Sequence, residues 1–180
     1  MTLFERAFAV VVGHEGVTDA DPNDPGNWTG GRVGGGMLRG TRFGVSAAAY
    51  PQTDVQALTL ADAQAIYHRD YWEPIGGDTL PPPLALLVFD AAVNAGVGRA
   101  ARWLQTAVGV TADGMIGPVT RAAVASTVTR DGGAALCAEF QAQRTVFMAG
   151  LPTWPHFGLG WARRLCALPY QSLQMIQGGV

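Results

Sequence analysis

The sequence predicts a mostly α-helical protein that contains one glycine-rich loop or small hairpin. Apolar residues recur at helical spacing near the start of the chain and again from residue 59 onward. That spacing disappears between residues 26 and 44, where eight positions are glycine. A hydrophobic content of 48% with a net charge of −2 indicates a packed globular chain, and 180 residues are enough for one domain or two small lobes.

The first helix is expected over residues 2–14. Phe4, Phe8 and Val11 lie on one helical face, and continuing the same helix would place Glu15 at the end of that apolar stripe. A carboxyl group in such a position has a raised pKa, which suits a general acid. The alternative is that Glu15 interacts with the helix end or pairs with an arginine such as Arg42.

Turn signals and apolar spacing predict the later helices. A capping box at Thr59–Asp62 opens a helix that extends to Trp72, and the proline run 81–83 precedes a nearly all-apolar helix over 84–94. Further helices are expected over 99–108, from Pro118, over 134–148 and over 161–168.

Composition and spacing exclude several kinds of site. All 12 basic residues are arginine, so Gly35 and Gly40, although spaced as in a phosphate loop, lack the lysine that reaches the phosphates. His14 lacks the second histidine of a zinc helix, because Thr18 stands in its place. We therefore expect no nucleotide, no nucleic acid, no metal and no cofactor.

The start of the chain lacks the basic and apolar regions of a signal peptide, and the run Leu84–Phe89 is too short to span a bilayer. We expect synthesis in the cytoplasm without a signal peptide and no membrane span. Cys137 and Cys166 are accordingly expected to be reduced, buried small hydrophobes, with a disulfide as the alternative.

Carboxylates concentrate in the turn-rich segment after Glu15, at Asp19, Asp21 and Asp24. A carboxylic acid that protonates a leaving oxygen and a second carboxylate that activates water are the requirements of glycoside hydrolysis. The alternative is that these aspartates only cap turns.

Six short blocks of the sequence resemble those of a known family. These blocks are Phe4–Phe8, Gly13–Gly16, Asp21–Gly26, Thr41–Val45, Tyr67–Trp72 and Phe89–Asn94. Together they resemble glycoside hydrolase family 108, the bacterial and phage N-acetylmuramidases. Residues 103–120 are similar to the helical peptidoglycan-binding region that follows in this family. The resemblance covers about residues 4–168. It implies a lysozyme-like helical fold with the glycine-rich segment at the active-site cleft, a catalytic region over 1–94, and a peptidoglycan-binding region over 95–180 packed against it.

The resemblance also implies roles for individual residues. Glu15 takes the position of the general acid, and Asp24, nine residues later, would activate water with help from the Thr41 hydroxyl. The residues expected to contact substrate are Asp21, Trp28, Phe43 and Asn94. Asp21 is also expected to shape its loop.

Two features depart from the family pattern. Val17 replaces a glycine in the block around Glu15, and residues 27–40 form an insertion before Thr41. We expect this insertion, with Trp28 and two arginines, to lie at the rim of the cleft or to form a surface hairpin.

The implied activity is hydrolysis of the β-1,4 bond between N-acetylmuramic acid and N-acetylglucosamine, with inversion, by a monomer whose partners are peptidoglycan glycan strands. The protein would reach the cell wall in the periplasm through a pore or another export route, and phage, prophage and secretion-linked roles are all compatible with the sequence. The alternatives are a non-catalytic wall-binding module and a lytic transglycosylase.

Overall fold

The computed structural model describes residues 1–13 and 18–177 and consists of helices with one small sheet. The helices are α1 (Leu3–Val11), α2 (Leu60–Tyr67), α3 (Glu73–Ile75), α4 (Pro82–Ala95), α5 (Val97–Ala107), α6 (Pro118–Asp131), α7 (Gly133–Ala149) and α8 (Trp154–Gln177). The strands are β1 (Thr18–Asp19), β2 (Thr41–Arg42) and β3 (Val45–Ser46), antiparallel in the order β1-β2-β3. The predicted mostly α-helical fold with a small hairpin is confirmed.

The chain forms two compact units, of which the first runs from Phe8 to Tyr67. It contains the sheet, and a two-residue turn at Phe43 and Gly44 joins β2 to β3 with positive φ at both residues. Phe8 packs edge-on against Tyr67, with ring centroids 5.3 Å apart. The predicted capping box opens α2, because the Asp62 carboxylate accepts the Thr59 backbone N–H at 2.9 Å.

The second unit comprises residues 1–7 and the chain from residue 68 onward. Its centre is α4, which is buried from Leu84 to Ala92 and packs against α5, α7 and α8. A π-helical stretch, His68–Trp72, precedes α3 and places the Trp72 ring 5.4 Å from the Phe89 ring. None of the described helices combines the length and hydropathy that crossing a membrane requires.

The last helix, α8, is much longer than the predicted 161–168 segment and continues through Pro169. Proline lacks the N–H that would bond to the carbonyl four residues earlier, here that of Leu165. The Gln141 side chain of α7 donates a 3.0 Å hydrogen bond to that carbonyl instead. A partner from another helix therefore satisfies the group that Pro169 leaves free.

Two expectations need correction. The helix α1 ends at Val11, and Gly13 has a φ of +88°, so the helical-face argument does not extend to Glu15. Residues 14–17, including Glu15 and Val17, lie outside the described residues. Both cysteines are free, as expected, but Cys166 is exposed rather than buried and Cys137 is only partly buried.

Candidate active site

Asn27 connects the carboxylate loop of the first unit to strand β2. Its side chain is completely buried. The side-chain oxygen accepts a hydrogen bond from the Thr41 hydroxyl at 2.8 Å, and the amide nitrogen donates to the Asp21 carbonyl at 3.1 Å. A buried amide with both its donor and its acceptor in use fixes the two segments relative to each other.

Asp24 begins the short 3₁₀ turn Pro25–Asn27 as its N-cap. One carboxylate oxygen, Oδ1, accepts the Gly26 N–H at 2.8 Å, and the Asp24 carbonyl accepts the Asn27 N–H at 3.1 Å. The other oxygen, Oδ2, makes no hydrogen bond to a described residue. The half-buried carboxylate is thus held at one oxygen, and no described residue binds the second.

Asp19 and Asp21 turn their carboxylates into their own loop. Asp19 accepts the Asp21 N–H at 2.9 Å, and Asp21 accepts the Asn23 N–H at 2.9 Å. The hydrogen bond from the Asp21 N–H, followed by one from the Asn27 side chain, holds the pKa of Asp19 below its usual value. These contacts correspond to the turn-capping alternative for Asp19 and to the expected loop-shaping role of Asp21.

The predicted insertion, residues 27–40, folds back on itself. The Asn27 carbonyl accepts the N–H groups of Arg39 and Gly40 at 2.9 and 3.0 Å, and Trp28 pairs with Leu38 through an isolated bridge. The two ends of the insertion therefore meet. Thr41 follows directly and pairs with Asp19 in the sheet. The insertion keeps Thr41 beside the carboxylate loop, and its first residue, Asn27, is a buried structural residue rather than part of an exposed rim.

The aromatic residues expected to contact substrate differ in exposure. Phe43 is 7% exposed, and the Arg42 guanidinium carbon lies 5.3 Å from its ring centroid. A ring buried to this extent offers little surface to a glycan, and the contact expected for Phe43 stays a prediction. Trp28 is half-buried, and its indole N–H donates to the Pro22 carbonyl at 2.9 Å, so part of its ring remains open to solvent.

Asn94 lies in the second unit, at the last turn of α4, where its exposed side chain donates to the Asp90 carbonyl at 2.8 Å. The structure thus brings Asp21, Asp24 and Thr41 together through Asn27, whereas Asn94 belongs to the other unit. Sequence reasoning missed Asn27. Across residues 1–13 and 18–177, no three His, Cys, Asp or Glu side chains form a group able to hold a metal ion.

Comparisons with known proteins agree with this architecture. The model of the glycosyl hydrolase 108 family matches residues 8–96, and a model described as a predicted peptidoglycan domain matches residues 99–166. A solved structure, that of Brucella abortus SagA, is 31% identical to this chain and superposes with a TM-score of 0.76. The match covers 96% of this chain and 94% of that one. No curated protein matches the chain in sequence. The chain belongs to glycosyl hydrolase family 108 and is a glycoside hydrolase that acts on peptidoglycan.

Proposed function

We propose that the protein is an N-acetylmuramidase that hydrolyses the β-1,4 bond between N-acetylmuramic acid and N-acetylglucosamine. Glu15 protonates the leaving oxygen, and Asp24 takes a proton from the attacking water. The observation that carries this assignment is the connection through Asn27, which links the Asp24 loop to the Thr41 hydroxyl.

The direction of the hydrogen bond at Thr41 defines what this residue does with water. Its hydroxyl proton is donated to Asn27, so the Thr41 oxygen is left as an acceptor. Oδ2 of Asp24 is a second acceptor. A water that donates one hydrogen to each group directs its lone pair away from both, which is the orientation that an attack on the anomeric carbon needs. Attack by water on the face opposite the leaving oxygen gives inversion.

The assignment of Glu15 is supported by the family and by the sequence. Glu15 lies in the Gly13–Gly16 block, nine residues before Asp24, as the resemblance to the family implies. A general acid with a properly placed base contributes about 10²–10⁴-fold in rate.

We further propose that residues 1–94 form the catalytic region and residues 95–180 the peptidoglycan-binding region. The bounds of the two matched families, 8–96 and 99–166, support this division. Because α4 packs against α5, α7 and α8 within one unit, the division is one of function rather than of packing. The site of action is the cell wall, which the protein reaches through a pore or another export route.

The test compares the release of reducing ends from purified peptidoglycan by the wild type and three variants. Glu15→Gln is expected to lose nearly all activity, and Asp24→Asn to lose about 10²–10⁴-fold. Asp21→Asn is the matched control, since it removes a neighbouring charge while its side-chain oxygen can still accept the Asn23 N–H. It is expected to stay within about tenfold of the wild type.

Other results of these assays would indicate a different role for Glu15 or a different activity of the protein. Wild-type clearing by Glu15→Gln would show that Glu15 is not the acid. Anhydromuramic products would show lytic transglycosylase chemistry, and sedimentation with cell walls without reducing ends would show a binding module. The first-formed anomer, read by proton NMR, tests the stereochemistry: the α-anomer supports inversion, and the β-anomer contradicts it.

A further inference from the structure

A pocket of about 170 Å³ lies entirely within the second unit, among α4, α5, α7 and α8. Its walls include Asn94, Arg99, Trp103, Arg144, Phe147 and Trp161. Sites for whole small molecules usually measure about 300–1,000 Å³. This pocket is therefore large enough only for the terminal group of a larger ligand and a few carbon atoms attached to that group.

One wall of the pocket contains the buried cation Arg144, whose carboxylate partner is shared with a second arginine. Arg144 is 1% exposed and lies 2.5 Å from the buried carboxylate of Asp90. The same carboxylate also binds Arg164, so two guanidinium cations share one anion. Nη1 of Arg144 forms the ion pair with Asp90, and within the described part of the chain Nε of Arg144 has no hydrogen-bond partner. A buried cation that is only partly neutralised favours an additional anion nearby.

A second guanidinium lies at the edge of the pocket. The exposed side chain of Arg99 stacks on Phe147, with its guanidinium carbon 4.5 Å from the ring centroid. Among the residues that the structure describes, no carboxylate forms an ion pair with Arg99. The stacking limits the positions of the guanidinium while its N–H groups remain available for a planar anion.

We propose that this pocket binds a free carboxylate of the peptidoglycan stem peptide, held by Arg99 and Arg144 between the rings of Trp103, Phe147 and Trp161. Arginine pairs with carboxylates through two parallel hydrogen bonds, and the rings supply apolar walls for the adjacent methyl or methylene groups. The neutral acetamido sugar N-acetylglucosamine provides no such anion. The inference rests on the proposed function, because it names the part of peptidoglycan that the second unit recognises.

The experiment is an NMR titration of the full-length, ¹⁵N-labelled protein with two synthetic stem peptides. One peptide has free carboxylates, and the other has the same sequence with every carboxylate amidated. The wild type is expected to bind the free acid, with a shift of the Trp161 indole resonance, which Trp161→Phe identifies. Arg99→Gln is expected to weaken this binding about tenfold or more, since a charged hydrogen bond contributes about 1.5–3 kcal/mol.

Arg163→Gln is the matched control. This substitution also removes one positive charge, but from an exposed position on α8 that does not line the pocket. The variant is expected to bind the free-acid peptide as tightly as the wild type does. The proposal is overturned if the wild type does not bind the free acid, if the amidated peptide binds equally well, or if Arg99→Gln binds as tightly as the wild type.

Failure of this proposal is distinguishable from failure of the proposed function. A wild-type protein that releases reducing ends but does not bind the free-acid peptide overturns only the assignment of the pocket. A protein that binds the peptide but releases no reducing ends overturns only the muramidase assignment. Oligomers of N-acetylglucosamine, which carry no carboxylate, form a third arm, and they are expected not to shift the Trp161 resonance.

Discussion

The Thr41 hydroxyl donates a 2.8 Å hydrogen bond to the side-chain oxygen of Asn27, which has no exposed surface. The other end of the same amide donates to the Asp21 carbonyl. One buried side chain thereby holds the strand that carries Thr41 against the loop that carries Asp24.

We expect Asn27→Ala to lower both stability and activity. The substitution leaves the Thr41 hydroxyl and the Asp21 carbonyl without their partner, at a cost of about 1–3 kcal/mol in the free energy of unfolding. Activity is expected to fall by about 10²-fold, because small displacements of catalytic groups have effects of that size. Urea denaturation and reducing-end release measure the two effects.

Asn23→Ala is the control, since Asn23 lies in the same loop but is exposed. Its effect on stability is expected to stay within about 0.5 kcal/mol. Equal activity of the two variants would refute the positioning role of Asn27.

Gly44→Ala is expected to destabilise the hairpin more than Gly34→Ala does. Gly44 has a φ of +73° and Gly34 a φ of +74°, so each alanine incurs the same backbone strain of about 1–2 kcal/mol. A Cβ at residue 44 would also overlap the Tyr67 hydroxyl oxygen, whereas a Cβ at residue 34 meets nothing within 4 Å. Because the backbone strain is the same in both variants, the difference between their melting temperatures measures the effect of the contact with Tyr67. Equal melting temperatures would contradict it.

Asp90→Asn is expected to destabilise the second unit strongly. The change leaves Arg144 as a buried cation without its carboxylate, and breaking a buried ion pair in this way costs about 3–5 kcal/mol. Asp131→Asn removes a carboxylate from the exposed pair with Arg130 and is expected to cost far less, since exposed ion pairs contribute little to stability. Chemical denaturation compares the two variants, and similar losses would show that burial of the Asp90 pair has no energetic consequence.

Gln141 and Pro169 are expected to be energetically coupled. Gln141→Ala removes the donor to the Leu165 carbonyl and is expected to cost about 1–2 kcal/mol. In a Pro169→Ala background the new backbone N–H at position 169 can reach that carbonyl, so the same substitution is expected to cost less. A double-mutant cycle measures the difference, and strict additivity of the two changes would exclude the compensation.

The two cysteines are expected to react at very different rates with iodoacetamide. Burial raises the pKa of the Cys137 thiol to about 11, so its reactive thiolate is scarce at pH 8, while Cys166 is exposed. We expect one rapidly labelled site and its loss in Cys166→Ser, read by mass spectrometry. As the pH rises towards about 11, Cys137 should begin to react. Rapid labelling that persists in Cys166→Ser would contradict this assignment.

The sequence by itself determined the features that depend on near neighbours in the chain. The capping box before α2, the prolines at the start of α4 and the glycine after it indicated helix limits because backbone propensities act within a few residues. The carboxylate loop was recognisable for the same reason, since its aspartates bond to N–H groups two residues away. The helical spacing overestimated the length of the first helix, because α1 ends at Val11 and Gly13 with its positive φ follows.

Only the tertiary structure decided which polar residues are buried and what they bind. Asn27 follows a Pro-Gly turn and has the appearance of another loop residue, yet it is buried against Thr41, fourteen residues away. Likewise, Pro169 predicts a helix break until Gln141 of α7 satisfies the freed carbonyl. These contacts join residues that are distant in the chain, and the free energy of a buried hydrogen bond depends on partners that local sequence does not specify.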